Sequence, residues 1–520
     1  MTIKYVTVAE MVEIEQAADA AGYSYSEMMQ AAGKGLAEQI VELAGDDGRE
    51  RIAALVGSGN NGGDALVALT LLLEQGWEGT ALLLKPRDED DPLLKEFQQA
   101  GGKTAAPYEV EDPGELITGV LSSCDLLVDG VLGTGIQLPV RGRLADLLGE
   151  VKSQLASREQ PPLVVAVDCP SGVDCDSGEV DESCIPADLT VTMAAVKQGL
   201  LKFPAFSLLG ELVLVDIGLP PDLPALKKIA REVVTDHHAR EVLPERPLDA
   251  HKGTFGTALI LAGSANYPGA ALLSAGGAYR IGAGLVTVGA PAVVQSCMAG
   301  QLPEATWLVL EDRDGWTASG NADRLEGALE RSTAVLLGPG WGEEQVTREF
   351  VGQLLQFDLP PLVIDADGLR ILTRMDGWQD LFPDPVVLTP HPGEMAVMTG
   401  WSVAEIQGDR VKAAEHFAHQ WGHIVVLKGA HTVIAAPGGA TRIIPLAVPA
   451  LATAGTGDVL AGMITGLIAQ GAPAFDAAAA GAWIHAWAGA AAGERLGSSG
   501  PVLAGDVLAS VPEVLEAVGR

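Results

Sequence analysis

The sequence predicts an α/β protein with two domains, each built on a doubly wound parallel sheet. The chain has 520 residues, which is too long for one ordinary hydrophobic core. Its content of 48% hydrophobic and 19% charged residues is typical of a well-packed globular protein. Short leucine-rich or β-branched runs alternate with helical stretches in both halves, as expected of strands that are buried on both faces of a sheet.

The predicted strands are short and are bounded by Gly, Pro or Asp. In the first half they are 51–56, 80–84, 126–128 and 163–167. In the second half they are 258–261, 285–288, 334–337, 362–364, 386–388 and 424–427. The most apolar late segment, 472–493, contains Asp476 and His485 and many alanines, so it is predicted to be a buried helix and not a membrane span.

The domain boundary is predicted where the alternation of strands and helices stops. Between residues 216–221 and 251–253 the sequence gathers prolines and charges, including Pro224, Pro244 and Pro247. The predicted organisation is therefore a first domain at 1–220, a linker or start of the second domain at 221–245, and a second domain at 246–520.

Charge and cysteine content restrict the class of protein. A formal net charge of −35 argues against binding to nucleic acid or to an anionic membrane, because such binding needs Lys and Arg to neutralise phosphates. The five cysteines form no Cys-x-x-Cys pair, and charged residues interrupt the first 15 positions where a signal peptide would need an apolar core. A reduced, cytoplasmic location is expected.

A glycine-rich turn in the first half is placed to bind an anion. The sequence Gly57-Ser58-Gly59-Asn60-Asn61-Gly62-Gly63-Asp64 follows a predicted strand and precedes a helical run. It satisfies Gly-x-Gly-x-x-Gly. A dinucleotide-binding fingerprint also requires an acidic residue about twenty positions later, and Lys85 stands at that place. A hydride-transferring enzyme is therefore disfavoured.

Three later clusters come at the ends of predicted strands, where ligands bind in open α/β sheets. They begin at Asp129, Asp168 and Lys197. An Asn carbonyl, an Asp carboxylate and a Ser hydroxyl are hard donors, so Asn61, Asp129 and Ser171 can hold a potassium-like cation. Each residue alone is more often a helix cap or turn, and it is their recurrence at successive strand ends that favours a cation site.

At this point the chain resembles the NAD(P)HX epimerase domain, over roughly residues 10–218. The resemblance is carried by the Asn-Asn-Gly-Gly-Asp motif, by the Asp129 cluster with Gly-Thr-Gly, and by Asp-Cys-Pro-Ser-Gly from Asp168. It implies a Rossmann-like three-layer sandwich that interconverts the R and S hydrates at nicotinamide C6, with Asp168 as the preferred acid/base, Asp64 in reserve, and Asn61, Asp129 and Ser171 on K⁺. The implied substrate-binding residues are Asn60, Asn61, Gly62, Gly63, Asp64, Gly133, Thr134, Gly135, Ile136, Gln137, Leu138, Pro139 and Asp168.

The second half has its own anion turn, Ala454-Gly455-Thr456-Gly457-Asp458, directly before an apolar helical run. Backbone amides there can converge on a phosphate, and the Asp458 carboxylate can take or hold a proton nearby. His391 stands between two prolines, and Lys428 ends a predicted strand. His391 either contacts a ligand or is structural, and Lys428 is either a phosphate-binding cation or a solvated lysine. Asp365 and Asp367 fit both magnesium binding and helix capping.

Together these motifs resemble the ADP/ATP-dependent NAD(P)HX dehydratase domain of the ribokinase-like superfamily, over about residues 230–515. The resemblance implies a three-layer α/β/α fold, homo-oligomers, and ADP with Mg²⁺ as in bacterial relatives, with ATP less favoured. Residues 446–451 depart from an Asn-Pro-Gly-like element that relatives carry before the anion turn. The implied hydrate-binding residues are Ala271, Gly340, His391 and Asp458, and the implied nucleotide-binding residues are Lys428, Gly429, Ala430, His431, Thr432, Gly455, Thr456 and Gly457.

The chemistry of dehydration suits these residues. Phosphorylating the departing hydroxyl turns it into a good leaving group, so Asp458 would deprotonate that hydroxyl while the amides of Gly455 and Gly457 stabilise charge on the terminal phosphate. Two alternatives remain open: a small-molecule kinase of the ribokinase class, which would use the same turn, and a noncatalytic nucleotide-binding scaffold.

Overall fold

A computed structural model of the chain describes residues 2–45, 48–88 and 90–519, with the side chains of residues 322 and 323 left out. The chain divides into two compact units, one at Thr2–Ala230 and one from Arg231 onward. Each unit has its own sheet and its own hydrophobic core.

The first unit is a three-layer α/β structure. Its strands are β1 (Ile3–Val6), β2 (Arg51–Val56), β3 (Glu78–Leu83), β4 (Lys103–Ala105), β5 (Leu126–Gly130), β6 (Leu163–Val167), β7 (Leu189–Met193), β8 (Val196–Lys197) and β9 (Glu211–Val215). Its helices are α1 (Val8–Ala20), α2 (Tyr25–Ala44), α3 (Asn60–Glu74), α4 (Pro92–Gln99), α5 (Gly114–Leu121), α6 (Arg143–Ala156) and α7 (Pro224–Lys228).

Seven of these strands form one parallel sheet in the order β4-β3-β2-β5-β6-β7-β9. Alternate residues of β2 enter different cores: Ile52 and Ala54 pack with α2 and α3, whereas Ala53 and Leu55 pack with α5 and α6. The strand is therefore apolar along its length, as the sequence predicted. The chain leaves β2 toward β3 and β4 and returns on the other side at β5, so the switch point of the sheet lies between β2 and β5.

The second unit is also α/β. Its strands are β10 (Arg231–Val233), β11 (Thr257–Leu261), β12 (Leu285–Pro291), β13 (Thr306–Leu310), β14 (Asp312–Arg313), β15 (Trp316–Thr317), β16 (Ala334–Leu337), β17 (Leu362–Ile364), β18 (Val387–Leu388), β19 (Ile424–Leu427), β20 (Val433–Ala435) and β21 (Thr441–Ile443). Its helices are α8 (Asp236–Val242), α9 (Pro268–Arg280), α10 (Ala292–Met298), α11 (Ala322–Leu329), α12 (Gln345–Leu354), α13 (Asp367–Leu372), α14 (Pro392–Thr399), α15 (Val403–Gly408), α16 (Arg410–Trp421), α17 (Thr456–Ala469), α18 (Ala474–Leu496) and α19 (Ala504–Gly519).

The main sheet of this unit runs β13-β12-β11-β16-β17-β18-β19-β20-β21-β10. It is parallel except where β20 pairs antiparallel with β19 and β21. Helices α9, α17 and α18 bury one face of the sheet in a single apolar cluster. Its switch point lies between β11 and β16, which places the turns after these strands at the ligand-binding edge.

The α/β prediction is confirmed, and all ten predicted strands are present. The predicted helix at 472–493 is α18, which is largely buried. None of the helices in the described part of the chain combines the length and hydropathy that crossing a membrane requires. Strand β7 was missed because its two threonines interrupt the continuous apolar run by which the other strands were predicted. Both threonines are fully buried, and Thr190 Oγ1 donates to the Leu209 carbonyl at 2.7 Å.

Candidate active sites

A cleft of about 510 Å³ lies in the first unit at the switch point between β2 and β5. The sequence-predicted residues that line it are Asn60, Asn61, Asp64, Gly133, Thr134, Gly135, Ile136 and Asp168. Other lining residues that received no predicted role include Glu15, Tyr25, Met28, Met29 and Lys85, whereas Lys197 begins one of the three clusters expected at the strand ends. The turns that follow three neighbouring parallel strands thus meet in one cleft.

The glycine-rich turn brings the start of α3 against its neighbours. A Cβ at Gly57 would lie 2.0 Å from the Val131 carbonyl oxygen, so only glycine fits where the turns after β2 and β5 cross. Asn61 Nδ2 donates to the Val167 carbonyl at 2.6 Å and to the Leu132 carbonyl at 3.3 Å. The side chain of Asn61 therefore ties together the ends of β5 and β6.

Asp168 follows β6 in a left-handed backbone conformation, with φ 65°. Its Oδ1 accepts hydrogen bonds from Thr192 Oγ1 and the Met193 amide, both at 3.1 Å, and from the ammonium group of Lys197. Asp168 is 8% exposed and Lys197 only 1% exposed. A strained residue with a buried ion pair at a cleft is characteristic of functional sites.

Asp64 is the fifth residue of α3 and is 7% exposed. Burial raises the pKa of Asp64 well above its ordinary value, the carboxylates of Asp168 and Glu15 raise it further, and Lys197 opposes them. Burial likewise raises the pKa of Glu15. The cleft therefore combines a carboxylate paired with a lysine and two carboxyl groups whose pKa burial raises.

The predicted cation ligands come together at the end of β5. Ser171 donates through its hydroxyl to Asp129 Oδ1 at 2.6 Å and through its amide to Oδ2 at 2.7 Å. Burial raises the pKa of Asp129, whereas the hydrogen bonds from Ser171 lower it. No basic side chain in the described part of the chain forms an ion pair with Asp129. A fully buried carboxylate beside a hydroxyl and the Asn61 amide fits a monovalent cation.

Some predicted substrate residues lie away from this cleft. Leu138 and Pro139 line a separate hollow beside α6, and Gln137 lines neither hollow. Gly62 and Gly63 are buried in α3, where a Cβ on Gly63 would lie 2.8 Å from Met29 Sδ. Gly63 thus lets α2 and α3 pack closely, and a Cβ on Gly62 would lie 2.3 Å from the Gly57 carbonyl oxygen, so both glycines have a packing role.

In the second unit, Asp458 stands in the first turn of α17, and Gly455 caps that helix with φ 91°. Burial, together with the nearby Asp365 carboxylate, raises the pKa of Asp458 to about 7, although the Lys428 ammonium lowers it. A carboxylate with this pKa exchanges protons near neutrality, as a general base requires. The amides of the same turn point along the helix N-terminus, where anions bind.

Lys428 follows β19 and is held among carboxylates. Its Nζ lies 2.6 Å from Asp365 Oδ1 and 3.9 Å from Glu394 Oε2. Burial alone would lower the pKa of Lys428, but Asp365 and Glu394 reverse that effect and raise it. A Cβ on Gly457 would lie 3.3 Å from Nζ, which places the ammonium directly beside the anion turn.

His391 is the N-cap of α14. Its Nδ1 accepts from the amides of Gly393 at 3.0 Å and Glu394 at 3.3 Å, while Glu394 Oε2 accepts from the His391 amide at 2.9 Å. The capping box leaves Nε2 as the nitrogen that faces Glu394 Oε1, at 3.3 Å. Burial lowers the pKa of His391, which favours the neutral ring.

Gly340 and Ala271 differ in what they offer a ligand. Gly340 follows β16 with φ 66°, and a Cβ there would lie 2.8 Å from Ala270 Cβ and 2.9 Å from the Tyr267 carbonyl. Ala271 is fully buried in the core beneath this turn, so its side chain has no exposed surface. Tyr267, which sequence reasoning left without a role, is 54% exposed beside Gly340.

The two aspartates after β17 have different partners. Asp365 pairs with Lys428, whereas Asp367 begins α13 and accepts from the Gly342 amide at 2.8 Å. Burial raises the pKa of Asp367. Within the described residues, no group of three His, Cys, Asp or Glu side chains is arranged to hold a metal by itself.

The stretch predicted to bind the nucleotide, Lys428 to Thr432, contacts segment 446–451, whose sequence differs from the element that relatives carry there. The His431 amide donates to the Leu446 carbonyl at 3.0 Å, and Thr432 Oγ1 donates to the Gly429 carbonyl at 2.9 Å. Thr456 Oγ1 donates to the Leu451 carbonyl at 2.9 Å. The segment therefore links the nucleotide stretch to the anion turn. Of the remaining predicted positions, Ala430 is exposed.

Comparison with known proteins extends over nearly the whole chain. A family profile described as NAD(P)H-hydrate dehydratase matches residues 258–510, and one described as YjeF-related protein N-terminus matches residues 25–199. The chain is 38% identical to a bifunctional NAD(P)H-hydrate repair enzyme Nnr of Moorella thermoacetica, over 98% of this chain and 96% of that protein. It is also 38% identical to the enzyme of the same name from Salinibacter ruber, over 94% of this chain and 91% of that protein.

One solved structure similar to this chain is an ADP/ATP-dependent NAD(P)H-hydrate dehydratase from Bacillus subtilis, co-crystallised with ATP and Mg²⁺. It is 38% identical and covers 55% of this chain and 98% of its own, with a TM-score of 0.47.

Proposed function

The chain belongs to the family of bifunctional NAD(P)H-hydrate repair enzymes, and we propose that its two units divide the chemistry between the cleft of the first unit and the Asp458 turn of the second. The protein is an enzyme that interconverts the R and S hydrates of NADH and NADPH and dehydrates the S hydrate in a nucleotide-dependent reaction. In the proposed division, epimerisation takes place at the first cleft and dehydration at the Asp458 turn.

The observation that carries the proposal for the second unit is Asp458, with a pKa of about 7, at the N-terminus of α17. In the proposed reaction Asp458 removes the proton of the hydrate hydroxyl, whose oxygen then attacks the terminal phosphate. The amides of the anion turn stabilise the charge that develops on that phosphate. Inorganic phosphate then leaves as the C6–O bond breaks, and loss of a proton from C5 forms the C5=C6 double bond, which yields NADH or NADPH and, from ADP, AMP.

Nucleotide and metal use belong to this proposal. ADP is the proposed phosphate source, bound by residues 428–432 and the 455–457 turn. Mg²⁺ usually takes one or two carboxylates plus the phosphates of its nucleotide, so the absence of an all-protein cage among the described side chains does not conflict with it. Asp365 and Asp458 lie beside the anion turn and would supply the one or two carboxylates that Mg²⁺ takes.

In the first unit, Asp168 is the proposed acid/base residue and Asp64 the second candidate. The proposed substrate-contacting residues are those that line the cleft, and K⁺ is proposed at Asn61, Asp129 and Ser171. The cation would fix the turns after β5 and β6 relative to each other. Replacing K⁺ with tetramethylammonium should then slow epimerisation and leave dehydration unchanged; an unchanged epimerisation rate would contradict this cation site.

Location and assembly are also proposals. The five cysteines are all unpaired, which suits a reducing cytoplasm. A homo-oligomer is expected from the resemblance, and light scattering of the purified protein measures it. The charge of −35 remains the argument against nucleic acid and membrane partners.

The decisive experiment follows ultraviolet absorbance of hydrated NADH mixed with the protein, Mg²⁺ and either ADP or ATP. Recovery of NADH from the S hydrate identifies dehydration, and recovery from the R hydrate faster than spontaneous epimerisation identifies the first activity. A kinase would instead accumulate phosphorylated substrate without recovering NADH, and a scaffold would change neither compound.

A further inference from the structure

We propose that Lys197 is a positioning residue for epimerisation, which holds Asp168 as the proton acceptor while Asp64 is the proton donor. This inference rests on the proposed assignment of epimerisation to the first cleft. The hydrogen bonds that Lys197 and Asp168 form inside the protein determine which of their atoms remain for a substrate.

All three N–H donors of the Lys197 ammonium group have partners within the protein. Its ammonium group contacts Asp168 Oδ1, donates to the Met193 carbonyl at 2.9 Å, and donates to Thr192 Oγ1 at 3.2 Å. A lysine ammonium has three donors, so these three partners use all of them. Although Lys197 borders the cleft, it has no donor left for a substrate phosphate and acts through Asp168.

The two oxygens of Asp168 have different surroundings. Oδ1 accepts from Lys197, Thr192 and Met193. Within residues 2–45, 48–88 and 90–519, no hydrogen bond reaches Oδ2. Because Asp168 lines the cleft, Oδ2 is the atom that remains for a ligand. The lysine thus fixes the orientation of the carboxylate and leaves Oδ2 for the cleft, as a positioned proton acceptor requires.

Asp64 has the opposite environment in the same cleft. Within the described residues, its carboxyl group has neither a hydrogen bond nor an ion pair, and it is 7% exposed. The raised pKa of Asp64 agrees with this setting, since burial and two like charges act on it. A neutral carboxyl group can donate a proton. The ionisable groups that face the pair are Glu15 on α1, Tyr25 on α2, Asp64 on α3, Lys85 after β3, and the Cys169 thiol next to Asp168.

This division balances the protons of the reaction. Inversion at C6 proceeds by ring opening: Asp168 takes the proton of the C6 hydroxyl as the C6–N1 bond breaks and a C6 carbonyl forms, and Asp64 protonates N1, which keeps the electron pair of that bond. After the carbonyl rotates, N1 attacks its other face, the C6–N1 bond re-forms, N1 returns its proton to Asp64, and Asp168 returns its proton to the new hydroxyl. Two carboxyl groups whose surroundings favour opposite protonation states are the expected arrangement for such a reaction.

The test compares K197M and K197A with K34M in the full-length protein. Lys34 is a surface residue of α2 whose side chain is 72% exposed, so K34M controls for the loss of a charge. Epimerisation should fall by about 100-fold in K197M, in the range that general acid–base groups contribute. Its remaining pH profile should move to higher pH, because Asp168 has lost its cationic partner. Methylammonium should partly restore K197A, and nucleotide-dependent dehydration should stay unchanged in all three variants.

A double-mutant cycle with D168N separates positioning from a general structural effect. If Lys197 acts through Asp168, the double variant K197M/D168N is no slower than D168N alone. Additive losses overturn the inference, as do a wild-type rate and pH profile in K197M. Unfolding of the first unit in both K197M and K197A also overturns it, because Lys197 would then be structural. A fully active D168N would instead defeat the proposed role of Asp168 itself.

Discussion

At the scale of single residues, the two candidate sites use a similar arrangement of charges. Lys197 is buried against Asp168 in the first unit, and Lys428 is buried against Asp365 in the second. In each site another carboxyl group, Asp64 or Asp458, lies nearby with a raised pKa. In each site one carboxylate forms an ion pair with the lysine, and burial raises the pKa of the neighbouring carboxyl group outside that pair.

The first prediction concerns Asp458→Asn. The amide cannot act as a base, so dehydration of the S hydrate should fall by at least about 100-fold. The variant keeps the shape of the anion turn, so ADP affinity in calorimetry should change little. Epimerisation in the same sample is the control, and loss of ADP binding would show that Asp458 has a metal-binding or structural role.

A second prediction follows from the pKa of Asp458, which burial raises to about 7. A general base works only when it is ionised, so the dehydration rate should rise with pH through about 7 and level off above it. The expected dependence is one proton, which gives a tenfold rise per pH unit on the acid side. Initial rates at saturating hydrate and nucleotide measure it. A rate that is flat from pH 5 to 8 would exclude Asp458 as the base.

At the scale of elements, the packing of α17 on α9 fixes where Asp458 stands. Gly462 and Gly277 lie in this interface, where an added Cβ would be 2.0 Å from the Ser274 carbonyl and 2.4 Å from the Val459 carbonyl. Backbone at that distance cannot yield as a flexible side chain can. The helix that carries Asp458, the proposed base, is therefore held by direct contact between helix backbones.

The third prediction tests this contact with Gly462→Ala. Overpacking should destabilise the second unit by about 1–3 kcal/mol. It should also slow dehydration, because α17 shifts at its N-terminal turn. Gly352→Ala in α12 is the matched control: nothing lies within 4 Å of its added Cβ, so helix propensity should stabilise it slightly. Thermal unfolding measures both, and equal melting temperatures in the two variants would contradict the packing argument.

Elements also show the limits of sequence patterns. Five central strands match their predicted limits: β2, β6, β16, β17 and β19. Each is a short, continuous apolar run, which is the pattern of a strand buried on both faces of a parallel sheet. The short β20 and β21 were missed. They complete an antiparallel extension in which Thr441 Oγ1 donates to Glu415 at 3.0 Å. A three-residue strand whose polar side chain is satisfied by a distant helix has no local signature.

At the scale of the whole molecule, each unit carries a complete core and its own site. The two activities share a diffusible substrate, since one produces the epimer that the other consumes. Neither site needs a residue from the other unit in the arrangement proposed here. Fusion of the two activities then keeps their amounts equal.

The fourth prediction is complementation between two inactivated chains. We expect D168N to retain dehydration and D458N to retain epimerisation. With an equal mixture of R and S hydrates as substrate, D168N alone should quickly convert only the S half to NADH. An equimolar mixture of the two variants should convert the R half as well. Absorbance at saturating ADP and Mg²⁺ measures the recovery. A mixture that behaves like D168N alone, with D458N separately confirmed to epimerise, would show that the hydrate has to stay within one chain.

The sequence by itself determined the α/β class, the central strands, and most of the motifs that supply the sites. It could do so because these depend on local patterns: apolar runs, glycine-rich turns, and polar residues at strand ends. Asp129 and Asp168 stand at the carboxyl ends of β5 and β6, and Asp64 and Asp458 lie near the starts of α3 and α17, beside glycine-rich turns.

Only the tertiary structure decided which polar residues meet and in what state of charge. Glu15 and Lys197 come from distant parts of the chain to the cleft of Asp64 and Asp168, and Glu394 caps its own helix while facing Lys428. Leu138 and Pro139, close in sequence to Gly135, turn away from that cleft. Burial and the distance between charges set a pKa, and both arise from long-range packing that no local pattern encodes.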